Sequence, residues 1–410
     1  MFCGFFHFRG LRKNPFLQDK KSSFTMTLIS KLPHIETTIF TIMSKMATDE
    51  GAINLSQGFP GFGSDPILLE MVAKYTQAGY NQYSPMSGIP ALRNILAKKT
   101  QLTQGYFPNP DQEVTIVSGA TEAIFCAVTS VVRSGDEVIV LEPAYDSYEP
   151  AITLNGGVPV YVPLNQGDFS VDWERVKTAI TSKTRAILVN SPHNPSGYVW
   201  SVEDVNQLAE LVEKTGIYVI SDEVYEHITF DNRHHISIGS HPILRDQTFV
   251  CGSFGKTFHV TGWKIGYCIA PEVLSGEFRK IHQYVTFSTV TPIQYALAEY
   301  LEEPERYMSI PDFYQKKRDL FAEGLAQTEL EFVPSTGSFF QLVSYGHLSQ
   351  LPDRVLAERM TKELKVACIP ISVFYSDRRD DKIIRFCFAK EERELMEALN
   401  RLKGLKSIIY

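Results

Sequence analysis

From about residue 66 the chain alternates between two hydrophobic periods. Four short runs are apolar at successive positions and rich in Val and Ile: EVTIVS from Glu113, EVIVLE from Glu137, RAILVN from Arg185 and GIYVIS from Gly216. Runs of that length and composition predict strands. Being apolar on both faces, they belong inside a sheet with helices on either side. Stretches of helical period lie between them. One opens at Ser201, which makes a capping-box start with Asp204 and carries Val205, Leu208, Leu211 and Val212 at helical spacing. Strands and helices in alternation predict an α/β fold with a doubly wound sheet.

After about residue 300 the pattern changes. A helix through Phe313 to Leu325 leads into FVPSTGSFFQLV, which reads as a strand; a helix around Val355 to Leu364, the strand IIRFCFA and a last helix ending near Leu402 follow. This predicts a smaller α+β domain from 302–410, with the N-terminal segment 26–55 packed on it, beside a large domain spanning 56–301. Residues 1–25 are aromatic and basic, and their apolar part precedes the basic residues instead of following them, unlike a signal peptide. They read as a leader or as a start placed too early, with Met26 as the true beginning.

Composition narrows the field without choosing within it. The 410 residues are 44% hydrophobic and 21% charged, as in a soluble globular protein, and the net charge of −7 argues against a general nucleic-acid binder. No apolar run approaches a membrane span. The six cysteines form no CxxC or other metal-type spacing, so they read as reduced core thiols of a cytoplasmic protein without a metal site.

In an open α/β sheet, ligands gather at the carboxyl ends of the strands. After VTIV, Ser118-Gly119-Ala120-Thr121 is a small-residue turn opening a helix. Its free amides could cradle a phosphate, or it could be a tight turn only. After IVLE, Tyr145 could stack on a flat ring or pack in the core. Asn194 is held extended by the proline after it, its amide free for a cleft or for turn chemistry. Asp222 follows a fully apolar strand, where a carboxylate is costly unless a cationic ring nitrogen, a helix N-cap or an ion pair takes it up. Lys256, in SFGKTFHVTGWKIGY, lies between apolar flanks. Desolvation would make its amine nucleophilic toward an aldehyde, while a salt bridge to Asp222 or another acid is the plainer reading. Arg385 interrupts IIRFCF, and its planar fork suits a carboxylate: an internal Asp or Glu, or, since no acid lies close by in its strand, an external one. Taken together, these groups describe pyridoxal phosphate working on an amino acid.

The segments NLSQGFP (54–60), NQYSPMSGIPALR (81–93), SGATEA (118–123), PHNPSG (192–197), SDEVYEHI (221–228), SFGKTFHVTGWKIGY (253–267) and IIRFCFAK (383–390) run in the order found in class I/II aminotransferases. The chain resembles that family, of the aspartate-aminotransferase fold, over nearly everything after Met26. The likeness is to the kynurenine and glutamine aminotransferase branch, and most to bacterial methionine aminotransferases, through TTIFTIMS, YDSY, DEVYEHI and SVF. It implies fold type I, with a mainly parallel seven-stranded sheet in the large domain, and a homodimer with shared active sites.

It also implies pyridoxal 5′-phosphate as cofactor, held covalently by Lys256. Asp222 would pair with the ring nitrogen, Tyr225 and Asn194 with the ring oxygen, and Tyr145 would stack on the ring. The Ala120 and Thr121 amides, Ser253 and Lys264 would bind the phosphate, and Tyr83 would reach the phosphate held by a second subunit. Arg385, with Asn194 and the Gly58 backbone, would take the substrate carboxylate; Phe40 and Phe287 would line the side-chain pocket. FPGF stands where FPDF is usual, PHNPSGYVW where NPTG is usual, and Phe40 where many kynurenine enzymes carry tryptophan. The expected reaction is ping-pong transfer of the α-amino group of methionine or aromatic amino acids, with leucine, histidine and glutamine as further donors, to a 2-oxo acid. The same residues would serve a kynurenine–oxoglutarate aminotransferase or a cysteine-S-conjugate β-lyase. A transcription regulator on this fold would need a DNA-binding module, and residues 1–25 hold no helix-turn-helix pattern.

Overall fold

The strands expected from the hydrophobic runs form, and they bring their carboxyl ends to one edge. The structure is a computed structural model that describes residues 28–409. After β1 (Ile53–Asn54) come β2 (Val114–Val117), β3 (Glu137–Glu142), β4 (Val158–Pro163), β5 (Thr184–Asn190), β6 (Tyr218–Asp222), β7 (Thr248–Ser253) and β8 (Gly266–Ile269). The last seven make one sheet in the order β2-β8-β7-β6-β5-β3-β4. β3 to β7 pair in parallel, whereas β8 is antiparallel to both its neighbours, β7 and β2. Because β8 runs backwards, its first residue, Gly266, lies opposite the last residues of β2 and β7, Val117 and Ser253. Lys264, two residues before β8, therefore arrives at the edge where the other strands end.

Alternate residues of each central strand feed two different cores, as a pleat of period two requires. Ile139, Ile187 and Val219 pack in the core that holds Val205 and Leu208 of the helix Val202–Thr215. Val138, Leu188 and Ile220 pack with Ile124 and Val128 of Ala120–Val131 and with Phe278 of Glu272–Val285. The Ser201–Asp204 capping box is present, with each side chain accepting the other's backbone N–H. A cap of this kind stabilises a helix start by roughly 1 kcal/mol.

The hydrophobic pattern did not announce β4. Its sequence, VPVYVP, contains two prolines, and most of it is only half-buried. It lies at the sheet's edge, where a residue without an N–H costs no ladder bond.

The remaining strands are β9 (Phe340–Ser344), β10 (Val366–Ala367), β11 (Ile369–Pro370) and β12 (Ile383–Cys387). They build an antiparallel sheet β11-β12-β9, while β10 pairs in parallel with β1. The helix Ile39–Asp49 packs against β1 and β10, so the N-terminal segment joins this smaller layer. The strand expected over 332–343 is confined to β9, with isolated bridges from Gly337 to Thr229 and from Glu331 to Ser344, because Pro334 and the bends after it interrupt the ladder. The helix expected near 355–364 is α-helical over Asp353–Arg359 and closes as a π turn over Met360–Leu364.

From Ile35 on, the described residues form one compact unit; residues 28–34 contain only bends and a turn. The expected leader, 1–25, and Cys3 lie outside the described residues. The other five cysteines are buried and free. Among the described residues no helix is long and apolar enough to cross a membrane, and no His, Cys, Asp and Glu cluster could hold a metal ion.

Candidate active site

A cavity of about 310 Å³ opens where β2, β3, β5, β6 and β7 end, and Arg385 reaches it from β12. Phe40, Gly58, Ala120, Thr121, Tyr145, Asn194, Asp222, Tyr225, Ser253, Lys256, Lys264 and Arg385 all line it. Tyr83 and Phe287 do not. They lie together on the surface, ring edge to ring face at 5.3 Å, with Tyr83 84% exposed.

At one end of the cavity, Gly119 takes a left-handed φ of 82° and opens the helix Ala120–Val131 without a side-chain cap. The amides of Glu122 and Ala123 already bond back to Gly119. Those of Ala120 and Thr121 have no acceptor among the described residues, so they remain free at the positive helix end. The Lys264 ammonium lies 3.5 Å from where a Gly119 Cβ would stand. A cation and free amides facing one space call for an anion.

In the middle, Asp222 is buried at the end of β6. Its Oδ2 accepts the Tyr148 hydroxyl at 2.7 Å and its Oδ1 the Val224 N–H at 3.3 Å. Burial nevertheless raises its pKa from an ordinary 3.8 to about 6. Two neutral donors do not replace the water this carboxylate has lost, which is the condition that a cationic ring nitrogen would relieve. Lys256 lies half-buried in the short helix Phe254–Thr257, its Nζ donating to the Gly58 carbonyl at 2.7 Å. Burial pulls its pKa from 10.5 down to about 8, and the Arg385 and Lys264 charges add to the fall. The salt bridge to Asp222, the plainer reading of the sequence, is not formed. The Tyr225 hydroxyl has no hydrogen-bond partner among the described residues, and burial holds its pKa well above 10. Burial likewise moves the Tyr145 phenol up to about 12.

At the far end, Arg385 has no exposed surface. Nη1 donates to Asn194 Oδ1 at 2.7 Å and Nη2 to the Ser56 carbonyl at 3.1 Å, and Nε has no partner. The guanidinium lies 3.8 Å over the Phe340 ring, with Phe40 and Phe374 at 5.3 Å. No acid among the described residues pairs with it. Gly58 lets the backbone come close to Phe340: a Cβ there would stand 2.9 Å from its ring, which would have to shift.

Free amides beside a lysine, an under-satisfied buried carboxylate, an amine of lowered pKa and an unpaired phenol fit the phosphate, ring nitrogen, aldehyde and ring oxygen of pyridoxal phosphate. The model for class I and II aminotransferases matches residues 50–402. The chain belongs to the class I and II aminotransferases. It is 48% identical to the methionine aminotransferase of Escherichia coli over 377 residues, covering 92% of this chain and 98% of the relative. It is 35% identical to a kynurenine–oxoglutarate transaminase of Dictyostelium discoideum, over 88% of this chain and 93% of that one. The solved structure of an Escherichia coli methionine aminotransferase superposes with a TM-score of 0.91 at 47% identity, covering 92% of this chain and all of that one. The chain is thus a pyridoxal-phosphate-dependent aminotransferase of fold type I acting on amino acids.

Two residues of this aminotransferase site were not singled out from the sequence. Tyr148, the second tyrosine of YDSY, carries the bond to Asp222; spacing shows only that it follows Tyr145 by three. Phe340, under Arg385, looks in the sequence like one more strand residue.

Proposed function

We propose that this aminotransferase moves the α-amino group of methionine or an aromatic amino acid to a 2-oxo acid, as a homodimer with shared sites in the cytoplasm. One observation carries the substrate reading: Arg385 is wholly buried, has no acidic partner and is walled by Phe40, Phe340 and Phe374. A carboxylate restores the missing anion. Apart from Lys256 and Lys264 no other cation lines the cavity, so the chain's own residues favour an uncharged side chain. The homodimer reading is supported by the exposure of Tyr83 and Phe287 away from their own cavity, and the cytoplasmic one by the five free cysteines.

Ala120, Thr121, Ser253 and Lys264 would hold the phosphate, Asp222 the ring nitrogen, Tyr225 and Asn194 the ring oxygen, and Lys256 the aldehyde carbon. Bound pyridoxal phosphate supplies the carbonyl that exchanges for the amino group and the electron sink that lets the Cα–H bond break. Arg385 orients the amino acid by its carboxylate, with Asn194 steadying the guanidinium. Lys256 Nζ, whose free amine has a pKa near 8, would take the Cα proton once the incoming amino group has displaced it from the aldehyde carbon, and would keep that proton within the cavity. Asp222 favours a proton on the ring nitrogen through its negative charge. One Arg385 binds both the amino and the oxo acid, each in turn, which is consistent with the ping-pong kinetics expected when the amino group stays on the enzyme between the two halves.

The test mixes the purified holoenzyme with methionine, phenylalanine, tyrosine, leucine, histidine, glutamine, kynurenine and aspartate in turn and follows the cofactor's absorbance. Methionine or an aromatic amino acid should react fastest. Aspartate in first place would overturn this reading. Pyruvate and ammonia from a β-substituted amino acid without any oxo acid would assign the β-lyase reaction instead.

A further inference from the structure

The chemistry above makes no use of His282, an imidazole with no exposed surface. Its Nδ1 lies 2.7 Å from Glu122 Oε1 and its Nε2 3.0 Å from the Met86 carbonyl oxygen. Glu122 Oε2 accepts the Ser118 N–H at 2.5 Å. Burial works against the Glu122 anion, but the bonds from His282 and Ser118 outweigh it and hold the carboxyl below its ordinary pKa. A carboxylate and a carbonyl can only accept, so both ring nitrogens are placed to donate.

Three segments meet at this ring. Through Glu122 it is tied to the turn Ser118–Thr121, the phosphate cradle. Through Met86 it holds the loop that carries Tyr83. Its own carbonyl takes the N–H of Thr286 at 3.0 Å and of Phe287 at 3.2 Å. Phe287 has a φ of 71°, a conformation an aromatic residue adopts only when its surroundings impose it. Gln294, equally buried, closes the other side. It donates to Ser84 Oγ at 2.9 Å and the Thr289 carbonyl at 3.0 Å, and it accepts the Ile89 N–H at 2.9 Å. Tyr83 and Phe287 are thus exposed rings on a buried polar frame, and neither lines its own cavity.

We infer that the His282–Glu122 pair is a positioning element: it locks the Tyr83–Phe287 pair of one chain to that chain's own phosphate cradle and presents the two rings to the cavity of a second copy. This rests on the shared-site reading proposed above. His282 touches neither substrate nor cofactor; its ring acts through Glu122 and Met86, while its backbone carbonyl holds Phe287.

Hybrid dimers test it. Two differently tagged chains are copurified, one carrying Lys256→Ala, so that only the other chain's cavity turns over. That cavity draws Tyr83 and Phe287 from the Lys256→Ala chain. His282→Gln placed on the Lys256→Ala chain should raise KM for the amino acid roughly tenfold or more, the scale of a displacement of about 1 Å. It should also speed release of the cofactor from the intact cavity, followed by its absorbance after gel filtration. Glu122→Gln, nearly the same shape, should act in the same direction and decides the matter if His282→Gln does not fold. Unchanged KM and cofactor release for both variants, on a chain where Tyr83→Phe does change them, would overturn the inference alone. If Tyr83→Phe and Phe287→Ala on that chain were silent as well, the sites are not shared, and both readings fall.

Discussion

Two groups of buried charge share the segment SDEVYEHI and are handled in opposite ways. In one, Lys99 meets Glu226 at 2.7 Å, Tyr267 donates to the same carboxylate, and Glu223 is taken up by His235 at 2.8 Å, Ser221 at 2.8 Å and the Ile238 N–H at 3.0 Å. Around the cavity, Asp222, Lys256 and Arg385 have no partner of opposite charge in contact. The acids show the difference most plainly. Burial pushes both Asp222 and Glu226 up, but Lys99 and its neighbours bring Glu226 down to about 2, while Asp222 stays near 6. Four residues apart in one motif, SDEVYEHI, one acid is satisfied within the protein and the other is left for a ligand. Buried charge is not in itself a mark of function; buried charge without an internal counter-charge is.

The largest way to break this contrast is at Lys256. Lys256→Ala should lower steady-state transamination by roughly 10³-fold or more while the protein still binds the cofactor. Ordinary turnover by the variant would remove Lys256 from the chemistry. The next test sets the two regions against each other. Arg385→Ala should reduce kcat/KM for amino and oxo acids alike, by the equivalent of about 2–5 kcal/mol. Lys99→Met should leave KM in place and instead lower stability in urea by about 3–5 kcal/mol, because Glu226 is left buried without its counter-charge. If the two variants exchanged phenotypes, the division into open and closed charges would be wrong.

The smallest effect is at Asp222 and depends on pH. With a native pKa near 6 against 3.8 unfolded, the native apoprotein keeps the proton that the unfolded chain has released. Stability of the apoprotein therefore falls as pH rises from about 4 to 6, by about 3 kcal/mol at most. Asp222→Asn should abolish that fall and make the apoprotein more stable at pH 7 in urea titrations. With the cofactor bound the order should reverse, since the ring nitrogen then loses its counter-charge. A variant less stable than wild type without cofactor would show that Asp222 is already satisfied.

Much of the site could be read along the chain because strands of this sheet end at one edge. Whatever follows VTIV, IVLE, AILVN, IYVIS and TFVCG is delivered there, so Thr121, Tyr145, Asn194, Asp222 and Lys256 were legible one strand at a time. Arg385 stood out as a cation inside an apolar strand. Tyr148 and Phe340 did not, because nothing in their local pattern separates a ring that carries a bond to Asp222, or supports a guanidinium, from an ordinary core ring. β4 escaped because prolines hide a strand whose edge position tolerates them.

The sequence by itself determined the elements, the chemical groups at the strand ends and the family to which they belong. These depend on hydrophobic period and on short motifs, which are local. Only the tertiary structure decided which charges are paired. Lys99 reaches Glu226 across 127 positions, and Arg385 reaches Asn194 across 191 but meets no acid. An ion pair depends on the distance between two groups and on the water removed around them, and neither is written in the spacing along the chain. As sequence, Lys99 stands in AKKTQ like a surface lysine, whereas Lys256 lies between apolar flanks. Folding gave one a carboxylate and left the other facing a cavity.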